Sequence, residues 1–163
     1  MDSNIIFKFT QTSNTEDWVV VDDVVMGGKS KGFFKISGEG YGLFEGSISL
    51  DNNGGFSSVR YQFKRKSIGN FTKFILKVKG DGKKYQFRIK SRIGDSHSYI
   101  STFETHGEWQ EIIIPLKDMY PMFRGRKLDK PNFSNDFIEQ IVFLIGNKSE
   151  ENFELMLDEI RLI

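Results

Sequence analysis

Cysteine and alanine are both absent from the 163 residues, and there are only three prolines and two histidines. Without cysteine the chain has no disulfide, thiolate nucleophile or thiolate metal site, which fits a reducing compartment. Without alanine it lacks the strongest helix former. Neither sign of charge dominates: 23 Lys and Arg face 22 Asp and Glu, a formal net charge of +1. That balance argues against a nucleic-acid or anionic-membrane binder. No apolar run approaches the roughly 18 residues of a membrane-spanning helix, so no transmembrane segment is expected. The first ten residues, MDSNIIFKFT, show neither a basic region followed by a long apolar one nor an Arg-rich leader. A cytoplasmic location is therefore the default expectation.

What is abundant is phenylalanine and glycine, 16 of each. Aromatic residues suit half-buried pleated surfaces and glycines punctuate turns. Apolar and polar residues alternate in short runs along the whole chain. The clearest is Lys84 to Lys90, where Tyr85, Phe87 and Ile89 alternate with Lys84, Gln86, Arg88 and Lys90. Similar runs cover Phe7 to Phe9, Gly32 to Ile36, Tyr41 to Leu50, Gly55 to Phe63, Phe74 to Lys79, Tyr99 to Thr105 and Trp109 to Leu116. Trp18 to Val21 and Ile138 to Ile145 read as buried strands, the latter preceded by a helical turn capped by Ser134. In the last run Phe153, Leu155 and Leu157 share a face, and the alternation shifts register near Asp158. Ser37 to Gly40 reads as a hairpin turn, and Tyr120 to Asn135 as the longest loop. About ten strands at this spacing, with little helix, predict an all-β antiparallel sandwich or jelly roll forming one domain over residues 1–163.

Several familiar motifs fail on inspection. Gly27-Gly28-Lys29-Ser30 resembles the end of a phosphate-binding loop, but the required first glycine falls on Asp23, and a strand pattern, not a helix, follows. Gly38-Glu39-Gly40-Tyr41-Gly42 lacks the third glycine of a dinucleotide fingerprint, since position 43 is leucine. His97 and His106 form no helical pair for a metal. Asp22, Asp23, Asp81, Asp158 and Glu159 are available for glycoside cleavage, yet no spacing singles out a pair. No catalytic constellation emerges, and an enzyme is not expected. Lys64-Arg65-Lys66 and Lys83-Lys84 read as solvated strand edges, not nucleic-acid contacts.

A set of words occurs in order along the chain. Trp18 leads to DDVVMGGKS at 22–30, then FEGSISL at 44–50 and NNGGFSSVR at 52–60. VKGDGKKY at 78–85, Trp109-Gln110, Pro115-Leu116, FRGR at 123–126 and FEL through DEI at 153–160 follow. Together they resemble the complex I intermediate-associated protein 30 family, and the resemblance runs over nearly the whole chain. It implies a galactose-binding-like jelly roll, akin to some carbohydrate-binding modules. For mitochondrial members it implies a non-catalytic, chaperone-like role in assembling respiratory complex I; with no transit peptide in view, this sequence resembles a stand-alone bacterial-type member.

The expected function is therefore a non-enzymatic binding domain, an assembly or adaptor factor whose partner is a protein, for the mitochondrial members a respiratory-complex component. The alternative is a carbohydrate-binding module holding a glycan. The candidate binding residues are Trp18, Asp22, Asp23, Met26, Gly27, Gly28, Arg60, Asp81, Tyr85, Trp109, Arg124, Arg126 and Asp158. Arg60, Arg124 and Arg126 suit bidentate pairing with carboxylates, and Asp22, Asp23, Asp81 and Asp158 are the mates expected. Trp18, Tyr85, Tyr99 and Trp109 are the aromatics expected to line a shared groove. No cofactor is expected; a structural calcium ion is compatible with such a fold, but no spacing demands one.

Overall fold

The computed structural model describes residues 4–163, so the first three residues of the expected domain lie outside the described part. The strands are β1 (Ile5–Lys8), β2 (Trp18–Asp22), β3 (Lys31–Ile36), β4 (Gly42–Ile48), β5 (Ser57–Ser67), β6 (Lys73–Lys79) and β7 (Lys84–Lys90). They continue with β8 (Ser98–Glu104), β9 (Trp109–Pro115), β10 (Tyr120–Phe123), β11 (Arg126–Lys127), β12 (Phe137–Ile145) and β13 (Glu151–Leu162). Every pairing is antiparallel. One sheet has the order β3-β4-β13-β6-β9, with β1 also on β13; the other has the order β11-β10-β8-β7-β12-β5-β2. The all-β sandwich expected from the alternation is what the chain forms.

The dry faces of the strands meet between the sheets. Tyr85, Phe87 and Ile89 of β7 lie fully buried, as do Phe74, Leu76 and Val78 of β6. Phe87 sits edge-on against Phe74 of the facing sheet, with ring centroids 4.9 Å apart, and packs against Phe143 at 5.3 Å. The register shift anticipated near Asp158 is a β-bulge between Leu157 and Glu159 against β6. It turns two successive side chains, Leu157 and Asp158, into buried positions. The Asp158 carboxylate is then met by the ammonium groups of Lys8 and Lys77.

Three local expectations are corrected. The stretch 120–135 is not simply a loop: β10 and β11 form a hairpin inside it, closed by Arg124 and Gly125, both left-handed, and β10 pairs with β8. The helical turn before β12 does not form, and residues 134–136 run directly into the strand. The run from Trp18 is not buried on both sides, because β2 is an edge strand and Val19 is 53% exposed.

Replacing Phe87 by alanine removes a ring that bridges both sheets. It is expected to cost about 3–5 kcal/mol of unfolding free energy, read from the urea midpoint at unchanged m-value.

Candidate functional site

Two constellations emerge, a buried knot and an open groove. The knot is built on DDVVMGGKS. β2 ends at Asp22, and a 3-10 turn, Asp23–Met26, follows, closed by Gly27 in the left-handed region at φ 88°. The turn places the Asp23 carboxylate in the interior, fully buried. Oδ1 accepts the Ser30 N–H at 2.9 Å. Oδ2 accepts the Ser30 hydroxyl at 2.6 Å, the Gly55 N–H at 2.6 Å and the Phe56 N–H at 3.3 Å. A Cβ at Gly28 or at Gly54 would overlap this carboxyl group. One glycine of each of the GGK and NNGG words, Gly28 and Gly54, is thus required by one side chain. The loop that resembled a phosphate cradle does gather backbone donors around an anion, and the anion is the chain's own Asp23. Burial pushes the Asp23 carboxyl up, but the donors from Ser30, Gly55 and Phe56 together outweigh it and hold it below the ordinary range. Asp22 accepts the Gly32 N–H at 2.9 Å and the Ser57 hydroxyl.

The remaining expected acids are equally occupied, and none pairs with an arginine. Asp81 takes the Tyr85 hydroxyl at 2.9 Å, the Lys83 ammonium at 3.2 Å and the Glu154 N–H at 2.8 Å. Burial, then the nearby Asp81 charge, raises the Tyr85 phenol far above its ordinary value. Asp158 serves Lys8 and Lys77 on the six-stranded sheet. The expected acid–arginine convergence on Arg60, Arg124 and Arg126 is therefore not formed, because backbone amides, hydroxyls and lysines reach the acids first.

Nor do the expected aromatics share a groove. Trp18 is buried between Phe34 and Tyr61, stacked at 5.1 and 4.8 Å. Tyr85 and Tyr99 point into the core. Trp109 packs against Tyr41 at 4.6 Å, on a strand of the opposite sheet. Arg126 is exposed on β11, and Met26 stands 70% exposed on the 3-10 turn beside the knot.

The open site lies on the outer face of the seven-stranded sheet. Strand register sets Arg60 of β5, Val142 of β12, Arg88 of β7 and Ile100 of β8 in one cross-strand row. The neighbouring row is Gln62, Gln140 and Lys90. These residues alternate with the core-facing set, so they point away from the core. Arg60, Arg88, Lys90, Gln140, Val142 and Leu144 line a cavity of about 180 Å³, rimmed by Ser98, Met122, Phe123 and Arg124. Of the expected site residues, Arg60 and Arg124 are brought together here.

This groove is cationic and has no acid in its lining. No Asp or Glu lines the cavity, and Arg60, Arg88 and Arg124 make no salt bridge among the described residues. The Arg60 Nε is buried with no hydrogen-bond partner. Arg88 is oriented by Gln86, whose Oε1 accepts its Nε at 2.9 Å and its Nη2 at 2.6 Å. The Lys90 ammonium donates to the Asp95 carbonyl at 2.7 Å. Burial lowers the pKa of all three cations, and the charge of Arg60 lowers Arg88 and Lys90 further, with Asp95 partly offsetting the effect on Lys90. On the opposite sheet, by contrast, Arg161 is shared by Glu111 and Glu159 at 3.3 and 3.0 Å. Sequence reasoning missed Arg88, Lys90 and Gln140. The available signal was the wet face of β7 and one glutamine inside the apolar run FIEQIVFLI.

The sequence profile described as "Complex I intermediate-associated protein 30 (CIA30)" matches residues 7–157. The chain belongs to this family. It is 25% identical over 97% of its length to mouse mitochondrial complex I intermediate-associated protein 30, covering 55% of that protein. It is 28% identical over 76% of its length to the probable Caenorhabditis elegans family member, covering 43% of it. The chain thus spans about half the length of the curated relatives it matches. In fold, this CIA30-family chain is similar to a family 11 carbohydrate-binding module from Clostridium thermocellum, solved with a mixed-linked tetrasaccharide. The TM-score is 0.70 at 17% identity, covering 96% of this chain and 94% of the module. No helix among the described residues is long and apolar enough to cross a membrane.

Asp23→Asn tests the knot. Because the folded carboxyl is held below its unfolded value of about 3.9, its contribution is complete above that pH and is lost as pH falls through the folded value. The variant is expected to lose about 2–4 kcal/mol at neutral pH and to show a flatter decline of melting temperature below roughly pH 4 than the wild type.

Proposed function

We propose that this chain is a non-catalytic binding domain acting as a protein-assembly or adaptor factor, with the groove on the seven-stranded sheet as its contact surface. The observation that carries this reading is the cluster of Arg60, Arg88, Lys90 and Arg124 on a face where no carboxylate lines the cavity. Half-buried cations that repel one another destabilise a fold unless something outside the chain neutralises them. Family membership supports a protein as that partner, since the curated relatives are complex I intermediate-associated proteins. Assembly with a respiratory-complex component is the specific form of the proposal.

The likeness to carbohydrate-binding modules supports the architecture. A neutral glycan reading has less to stand on, because no Trp or Tyr lines the cavity to stack on a sugar ring.

The test is co-purification from native extract using wild-type protein beside Arg88→Glu. Arg88 sits on the outer face, so the variant is expected to keep its melting temperature within a few degrees. Wild type is expected to recover a defined complex, identified by mass spectrometry as a respiratory-complex assembly intermediate, and the variant to lose most of it. Equal recovery by both proteins would move the contact surface elsewhere.

A further inference from the structure

We propose that the groove recognises an extended acidic peptide segment of the partner, with two carboxylates three residues apart seated on Arg60 and Arg88. The inference rests on the protein-binding reading above and specifies its ligand.

Spacing is the first argument. Arg60 and Arg88 lie two strands apart in one row, with Val142 between them. Adjacent strands are about 4.8 Å apart, so the two attachment points are separated by about 10 Å. A polyproline-II segment rises about 3.1 Å per residue with three residues per turn. It presents positions i and i+3 on one side about 9 Å apart. A chain crossing the strands in this form carries its acids at the same interval as the attachment points of the two arginines.

The second argument is the state of the donors. The Arg60 Nε is buried and has no hydrogen-bond partner, and a carboxylate is the planar acceptor that fits a guanidinium edge. Arg88 is already held in place by Gln86, so little side-chain freedom is lost when it engages an anion.

The third argument is the rest of the surface. Between the cations lies Val142, 4% exposed, and two residues along the same strand Leu144, 7% exposed, continues the apolar lining. Beside them the carboxamide of Gln140, 3% exposed, lines the cavity. Arg124 and Phe123, on the β10–β11 hairpin, form the rim. Uronic-acid glycans share the carboxylates but ask for a flat ring to stack on, and the only aromatic lining residue among those described is Phe123. A peptide fits this set better.

The experiment is calorimetric titration of the wild-type chain with a capped peptide carrying Glu-x-x-Glu, its Gln-x-x-Gln counterpart, and oligogalacturonate. Amide and arginine Nε–Hε spectra are recorded in parallel. The Glu peptide is expected to bind, to weaken as salt is raised, and to shift the Arg60 and Arg88 signals. Arg60→Gln and Arg88→Gln are each expected to weaken it roughly tenfold or more. The wild-type spectra keep the test decisive if either variant misfolds. No binding, equal binding of the Gln peptide, shifts confined to other surfaces, or preference for oligogalacturonate would each overturn the inference. If the wild type still captures its complex through Arg88 while no acidic peptide binds, only the ligand assignment falls. If that capture is absent as well, the protein-binding reading falls with it.

Discussion

The buried carboxylate of Asp23 organises one end of the sandwich. It draws together Ser30, which leads into β3, and Gly55 and Phe56, which lead into β5. β3 and β5 belong to different sheets, so one anion ties the two layers where the β2–β3 connection crosses between them. The charge is tolerable in the interior because its carboxylate accepts four hydrogen bonds from Ser30, Gly55 and Phe56. The two glycines pressed against it are consequences of that choice. A loop that reads as a ligand site is thereby a structural staple made of ordinary hydrogen bonds.

The opposite solution governs the groove. There the charges are positive, partly desolvated and without acidic neighbours in the cavity. Among the described residues no acceptor meets the Arg60 Nε in the way that Ser30, Gly55 and Phe56 meet Asp23. Arg88 and Lys90 are each partly engaged, by Gln86 and by the Asp95 carbonyl, while the Arg60 Nε has no partner, and this is why the groove is the surface proposed for interaction. The six-stranded sheet shows the contrast, since its outward arginine is already shared between two glutamates.

Much of the strand layout was legible. The bounds of β7, Lys84–Lys90, follow from its sequence, because strict alternation of apolar and polar residues admits one pleated arrangement. The shift at Asp158 was visible because a bulge breaks the period of two. The β10–β11 hairpin was hidden: its strands are short, one contains Pro121, and they are strands only through pairing, β10 with β8 and β11 with β10. The site was less legible. Of the expected residues, the GG loop group does converge, but for stability, and only Arg60 and Arg124 reach the groove.

The alternation of residues determined by itself that the chain would form strands with one dry face, and which side chains would be dry. It could not determine which acids meet which donors. Asp23 finds its partners 7 and more than 30 residues away, through a turn and a sheet crossing. Nor could it place Arg60, Arg88 and Val142 in one row, because they sit on β5, β7 and β12 and become neighbours only when β12 inserts between the other two. Period is a local property of the backbone and can be read along the chain. Strand order is settled by the packing of the whole core, and the groove is a product of strand order.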